Sequence, residues 1–192
     1  MVRPNSSKFQ ASIIKLLTGD QLTDPVVNYF LELLCERDHS FTFLDSLLLD
    51  KFRHCGILKN ISLVGKKFLF MPVCDSNHWF LIVANLPSSQ LFYYDSTKYE
   101  SQTKGLKIAN EVKVAMNKLT QTKWSVIRGA SPQQKNMTDC GVFMLVTAEL
   151  LSRSHKLDFN QAHIWAFRLQ IFNQIGLKEA KKKLNEMLNH QG

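Results

Sequence analysis

Residues 67–95, KFLFMPVCDSNHWFLIVANLPSSQLFYYD, decide the fold. They hold three short apolar runs, Lys67–Pro72, His78–Ala84 and Gln90–Asp95. The polar Asp75-Ser76-Asn77 parts the first two, and the turn-forming Pro87-Ser88-Ser89 parts the last two. Each run is short for a helix and rich in aromatic or β-branched side chains, which predicts three neighbouring, largely buried strands. Outward from this centre the period changes. Gly105–Leu119 repeats its apolar residues at helical spacing, Lys123–Ile127 reads as a further strand, and Gly141–Ser152 (GVFMLVTAELLS) is apolar nearly all round, as a core helix is. Upstream, Pro25–Cys35 starts with Pro at a first helical position and has Asp24 as a natural N-cap. Phe43–Phe52 predicts another short helix, and two amphipathic segments, Gln161–Ile175 and Lys178–Asn189, close the chain. Helices and strands mix without regular βαβ alternation. The predicted class is α+β, a small mixed central sheet flanked by helices, rather than a doubly wound fold.

Composition sets the outer limits. A chain of 192 residues, 45% hydrophobic and with thirteen Phe, is expected to form one domain over 1–192 with a core that needs no staples. At 21% charged it belongs to neither the disordered nor the fibrous class. No apolar run approaches the roughly 18 residues that span a bilayer, and no signal peptide is expected. The four cysteines form no CxxC pair and fit free thiols in a reducing compartment, so the expected location is intracellular, in nucleus or cytoplasm. Cys35, Cys55 and Cys74 are expected to be core fillers. No spacing fits structural zinc, and neither metal nor cofactor is expected. The net charge of +8 gathers partly at Lys178, Lys181, Lys182 and Lys183, as on a solvated basic helix face. An acidic protein partner, nucleic acid or an anionic membrane would also suit that charge. Without an RNP strand or zinc finger, a nucleic-acid role rests on charge alone, and none is expected.

The chemistry centres on Cys140 in Thr138-Asp139-Cys140-Gly141, where a loop hands over to the core helix. A thiol at a helix N-terminus feels the positive end of the dipole, which favours thiolate, and Gly141 leaves room for a substrate backbone. Taken alone, a cysteine is more often a buried structural residue. His78 opens a strand after a polar loop, where a neutral imidazole could take the thiol proton and later pass it to a leaving amine. Asp95, seventeen residues on, closes the next strand. If the two strands run the same way, both side chains emerge at one end of the sheet, and Asp95 fixes the histidine tautomer. The other reading is a strand-end His and a turn Asp that never meet. Gln134, six residues before Cys140, could offer its amide N–H to an oxyanion beside the Cys140 backbone N–H, or could be a solvated loop residue.

The ordered set His78-Trp79, Tyr94-Asp95-Ser96 and Pro132-Gln133-Gln134-x-Asn136-x-x-Asp139-Cys140-Gly141 resembles the Ulp1-like cysteine peptidases of the SUMO/sentrin-specific type. The likeness runs from about Leu22 to Ile175. It implies a papain-like core with the site permuted to His, Asp, Gln, Cys, whereas papain-like enzymes place Cys first. It assigns His78, Asp95 and Cys140 to the triad and Gln134 to the oxyanion hole. It also implies substrate contacts at Trp79, Gln21, Asp24, Gln133 and Asp139, with Trp79 walling a narrow tunnel over a C-terminal Gly-Gly. Only glycine is thin enough to thread such a tunnel. The implied partners are ubiquitin-like modifiers (SUMO, NEDD8 or ubiquitin) and their conjugates, met by a monomer. The chain departs from the pattern in places. Gln21-Leu22-Thr23-Asp24 stands where Trp-Leu-x-Asp is usual, Pro25 follows, and Thr138 replaces a common aromatic.

Three functions of different class fit the same residues. One is a thiol isopeptidase acting on a Gly-Gly tail. Another is acetyl transfer from acetyl-CoA, which needs a phosphate pocket that no obvious insertion supplies. The third is a non-catalytic module that binds a modifier, a role that would not require the catalytic set to be intact.

Overall fold

The computed structural model describes residues 7–56, 61–97 and 101–189. Five strands form one sheet in the order β1 (Phe41–Phe43), β2 (Phe68–Asp75), β3 (His78–Asn85), β4 (Gln90–Tyr94) and β5 (Ser125–Arg128). The two end pairs are parallel, and β2, β3 and β4 run antiparallel as hairpins. Asp75 pairs with His78 across a two-residue turn whose Ser76 and Asn77 both take left-handed φ values of 50° and 62°. That conformation matches the twist of the flanking strands, and Asn accepts it better than most residues. Pro72 sits inside β2 without harm because β1 pairs with it only as far as Phe70, so no ladder bond is asked of the missing N–H.

Both faces of the sheet are covered. Trp79, Leu81 and Val83 of β3 pack into one core with α1 (Ser7–Thr18), α2 (Asp24–Arg37), α5 (Cys140–Ser152) and α6 (Ile164–Asn189). The alternate residues Phe80, Ile82 and Ala84 enter a second core under α3 (Leu49–Cys55) and α4 (Ser101–Thr120). Two-sided burial is why the strand reads as an unbroken apolar run. The core helix of the sequence reading is α5, buried from Cys140 through Glu149. The class is α+β, as expected.

Several expectations need correction. Thr23, not Asp24, is the N-cap of α2, its carbonyl accepting from Val26 and Val27, while the Asp24 carboxylate accepts from Ser46 Oγ at 2.6 Å. Phe43–Phe52 is not one helix: its first residue ends β1, and a 3-10 turn at Ser46–Leu48 leads into α3. The two closing segments are one 26-residue helix, α6, that runs through Gly176. A single glycine costs a helix only about 1 kcal/mol, too little to end one anchored on a core. Helix α1 was not predicted, although Phe9 and Leu16 lie buried at helical spacing. Cys55 and Cys74 are exposed and fill no core; all four thiols are free. Among the described residues no helix is long and apolar enough to cross a membrane.

Candidate active site

The first residue of β3 is His78, and Asp95 directly follows β4. The expected meeting occurs, by the opposite strand geometry from the one expected. β3 and β4 are antiparallel, with Leu81 opposite Tyr94, so the start of one lies beside the end of the other. A connection as short as Leu86–Ser89 allows nothing else, since parallel neighbours need a long crossover. His78 Nε2 donates to Asp95 Oδ1 at 2.7 Å. The other ring nitrogen is left for Cys140, whose side chain interacts with the ring.

Asp95 is 5% exposed and well supplied with donors. Oδ1 accepts from the Thr97 backbone N–H and hydroxyl, each at 2.9 Å, and Oδ2 accepts from the Tyr93 hydroxyl. Gly105 of α4 makes room for that hydroxyl: a methyl there would lie 2.7 Å from Tyr93 Cζ. Burial alone would raise the Asp95 pKa, but the bonds from His78, Tyr93 and Thr97 outweigh it and hold the carboxyl below its usual range. For His78, burial pulls down while the bonds to Asp95 and Cys140 push up, and the net value rises to about 9. The bonds to Asp95 and Cys140 thus favour the protonated ring.

Cys140 is the first residue of α5 and is 1% exposed. The first helical bond runs from Phe143 N–H to Asp139 C=O at 2.9 Å, and Asp139 gives no side-chain cap. The backbone N–H groups of Cys140 to Val142 thus stand ahead of the helical ladder, at the end of the dipole that welcomes negative charge. Gly141 lets Leu22 pack against this end, since a Cβ on residue 141 would sit 3.0 Å from Leu22 Cβ.

The loop before Cys140 is built from side-chain bonds. Gln134 donates its backbone N–H to Ser96 O at 2.8 Å, accepts Ser96 Oγ on Oε1 at 2.6 Å, and donates one amide hydrogen to Asn136 O at 2.5 Å. Gln133 donates to Asp95 O at 3.1 Å and Ser131 O at 2.8 Å, so it ties the loop to the strand end rather than reaching outward. Asp139 is buried, and its carboxylate accepts from Arg168, Asn136 and Gln161, which makes it an anchor for the loop. Asp24 is likewise engaged with Ser46. Trp79 is 2% exposed, with its indole N–H on Leu22 O at 2.9 Å. Gln21 donates to Asn77 O at 3.2 Å and Met137 O at 2.8 Å.

Of the residues expected to act, His78, Asp95 and Cys140 meet directly, and Gln134 is joined to them through Ser96. Gln133, Asp139 and Asp24 are turned to partners within the fold. The sequence reading missed Tyr93, Ser96 and Thr97, which orient Asp95 and Gln134, and it missed Arg168. That arginine is 1% exposed, with Nε at 2.9 Å and Nη2 at 2.5 Å from Asp139 Oδ1, and it also donates to the carbonyls of Lys15, Gly19 and Asp20. A signal existed: the buried face of α6 is Ile164, Arg168, Ile171 and Ile175, so an arginine occupies a core position of the helical repeat. Among the described residues no cluster of three or more His, Cys, Asp or Glu could hold a metal.

Comparison with known proteins points the same way. Ubiquitin-like-specific protease ESD4 of Arabidopsis thaliana is 30% identical over 80% of this chain and 37% of its own length. Sentrin-specific protease 2 of Rattus norvegicus is 26% identical over 80% of this chain and 29% of its own. The chain thus spans about a third of these relatives. The fold superposes on the SUMO protease Ulp1 with its catalytic cysteine oxidised to a sulfenic acid, with TM-score 0.81 and 19% identity over 94% of this chain and 88% of that one. The Xanthomonas campestris effector XopD bound to ubiquitin superposes with TM-score 0.61 and 16% identity, over 79% and 91% of the two chains. The pattern of the Ulp1 protease family, C-terminal catalytic domain, matches residues 20–182, and this chain belongs to that family.

Proposed function

We propose that the protein is a thiol peptidase and isopeptidase that cleaves after the C-terminal Gly-Gly of a ubiquitin-like modifier. The observation that carries this reading is the Asp95–His78 bond on a ring that also interacts with Cys140 at the N-terminus of α5. In this reading His78 faces the sulfur as a cation, since it holds its proton up to about pH 9. The Cys140 sulfur, its proton passed to His78, adds to the carbonyl carbon of the last glycine, and the charge that forms on oxygen meets the Cys140 N–H and the remaining amide hydrogen of Gln134. His78 then gives its sulfur-facing proton to the lysine or peptide nitrogen, the C–N bond breaks, and a thioester remains. Water adds to the thioester, His78 takes its proton, and the modifier leaves as a carboxylic acid. Asp95 keeps Nε2 occupied throughout, so the ring works only toward sulfur.

The relatives support the substrate class, because their names specify ubiquitin-like or sentrin substrates. SUMO, NEDD8 and ubiquitin all end in the tail such a site would read. The deciding experiment incubates the protein with C-terminal probes of the three modifiers, each bearing a thiol-reactive group. Covalent labelling by at least one probe is expected, and it should disappear in Cys140→Ala. Absence of labelling by every probe, in protein shown to be folded, sinks the reading.

A further inference from the structure

The segment Gly19–Leu22 leads into α2 and is fixed along its length. Arg168 holds the carbonyls of Gly19 at 3.3 Å and Asp20 at 3.0 Å, Trp79 holds that of Leu22, and the Leu22 side chain rests on the Gly141 backbone. A side chain presented from so restrained a backbone is not a free surface glutamine. The single amide nitrogen of Gln21 reaches two backbone carbonyls far apart in the chain, those of Asn77 and Met137. Asn77 is the residue before His78, in the turn whose left-handed conformation aims its carbonyl, and Met137 lies three residues before Cys140. The two N–H groups of one carboxamide therefore join the turn that carries the base to the loop that carries the nucleophile.

We infer that Gln21 is a positioning residue that clasps the His78 turn to the Cys140 loop and so sets the spacing of the catalytic pair. Both acceptors are main-chain oxygens, so the clasp asks nothing of the side chains at 77 or 137 but requires a donor at 21. A methionine has the length without the donors. A glutamate has the shape but would set a carboxylate against two carbonyl oxygens. A lysine keeps donors, on a slightly longer stem. The inference rests on the peptidase reading only for how a modifier tail passes the clasp; the Cys140–His78 pair can be interrogated without any modifier.

The test measures alkylation of Cys140 by iodoacetamide against pH, alongside turnover of whichever modifier probe the wild type accepts. Gln21→Met and Gln21→Glu should each lower kcat about tenfold with KM little changed, because misplacing reacting groups by a fraction of an ångström acts on the chemical step. Both should also shift the pH profile of alkylation, while Gln21→Lys recovers the rate to within about threefold of wild type. A Met variant with the wild-type alkylation profile overturns the inference, whether or not a modifier substrate has been found. Should either variant unfold, the wild type still decides: the Gln21 side-chain amide protons should exchange with solvent at least about tenfold more slowly than those of a free glutamine. Unprotected amide protons overturn the clasp.

Discussion

His78 and Asp95 stand on one wall of the cleft, Cys140 and Gln134 on the other, and the two walls are held in different ways. The first wall is sheet. The β3–β4 register places His78 beside Asp95 with backbone bonds alone, and side chains are needed only to satisfy the carboxylate. The second wall is the loop leading from β5 into α5. Its holds are mostly side-chain bonds: Gln133 and Gln134 to the end of β4, Asn136 to Asp139, and Asp139 to Arg168. A ladder distributes position over many equivalent bonds, whereas each side-chain hold is a single point of failure. Substitutions remote from the reacting atoms should therefore disturb the Cys140 wall more than the His78 wall.

The largest effect should come from the buried carboxylate beside His78. Asp95→Asn keeps the shape, removes the charge, and should lower kcat/KM by about 10³–10⁴, as loss of the orienting carboxylate does in triads generally. Its pH signature is specific. His78 titrates near 9 in the folded protein against 6.5 as a free side chain, so its stabilising contribution is complete below about 6.5 and is lost as pH rises through 9. Without the carboxylate its bond and charge no longer raise the histidine value, which falls. The wild type should lose stability between pH 6.5 and 9, and Asp95→Asn should show a smaller loss. Urea unfolding across that window measures both; identical slopes would refute the assignment of the raised value to Asp95.

Next comes the main hold of the loop wall. Arg168→Leu leaves the Asp139 carboxylate buried beside a vanished cation, and breaking a buried pair from one side costs about 3–5 kcal/mol. Denaturant unfolding should register that loss. Arg168 touches no reacting atom, so a variant as stable as wild type would mean that the loop is held elsewhere.

The same contrast explains what could be read in advance. The strands were legible because two-sided burial writes an apolar run into the chain, and α5 because it is buried nearly all round. The meeting of His78 and Asp95 is legible from their places at strand ends, and the four-residue connection makes the strands antiparallel rather than running the same way. The loop was not legible beyond its motif. Gln134 takes its orientation from Ser96, 38 residues away, and Asp139 from Arg168, 29 away, and no local pattern encodes such partners. Arg168 is the exception, marked by its place among Ile164, Ile171 and Ile175 on the buried face of an amphipathic helix.

A smaller effect belongs to the oxyanion donor. Gln134→Ala should lower kcat by about 10²–10³ and leave KM nearly unchanged, because the bond it supplies forms only as charge develops on oxygen. A change confined to KM would instead make Gln134 a substrate-binding residue.

The smallest effect lies on the seam between the walls. Ser96 follows the end of β4 and is 4% exposed, yet its hydroxyl donates at 2.6 Å to Gln134 Oε1 on the opposite side. That bond decides which end of the carboxamide is which: with the oxygen held by Ser96, the nitrogen is turned toward Asn136 O. Ser96→Ala removes the preference without removing the donor, so kcat should fall by the worth of one hydrogen bond, about 1 kcal/mol or fivefold. In the double variant with Gln134→Ala the serine has nothing left to orient, and the second substitution should add almost no further loss. A double-mutant cycle reads this directly. A coupling energy near 1 kcal/mol ties the strand end to the oxyanion donor, and additive losses would show that the loop positions Gln134 without help from the sheet.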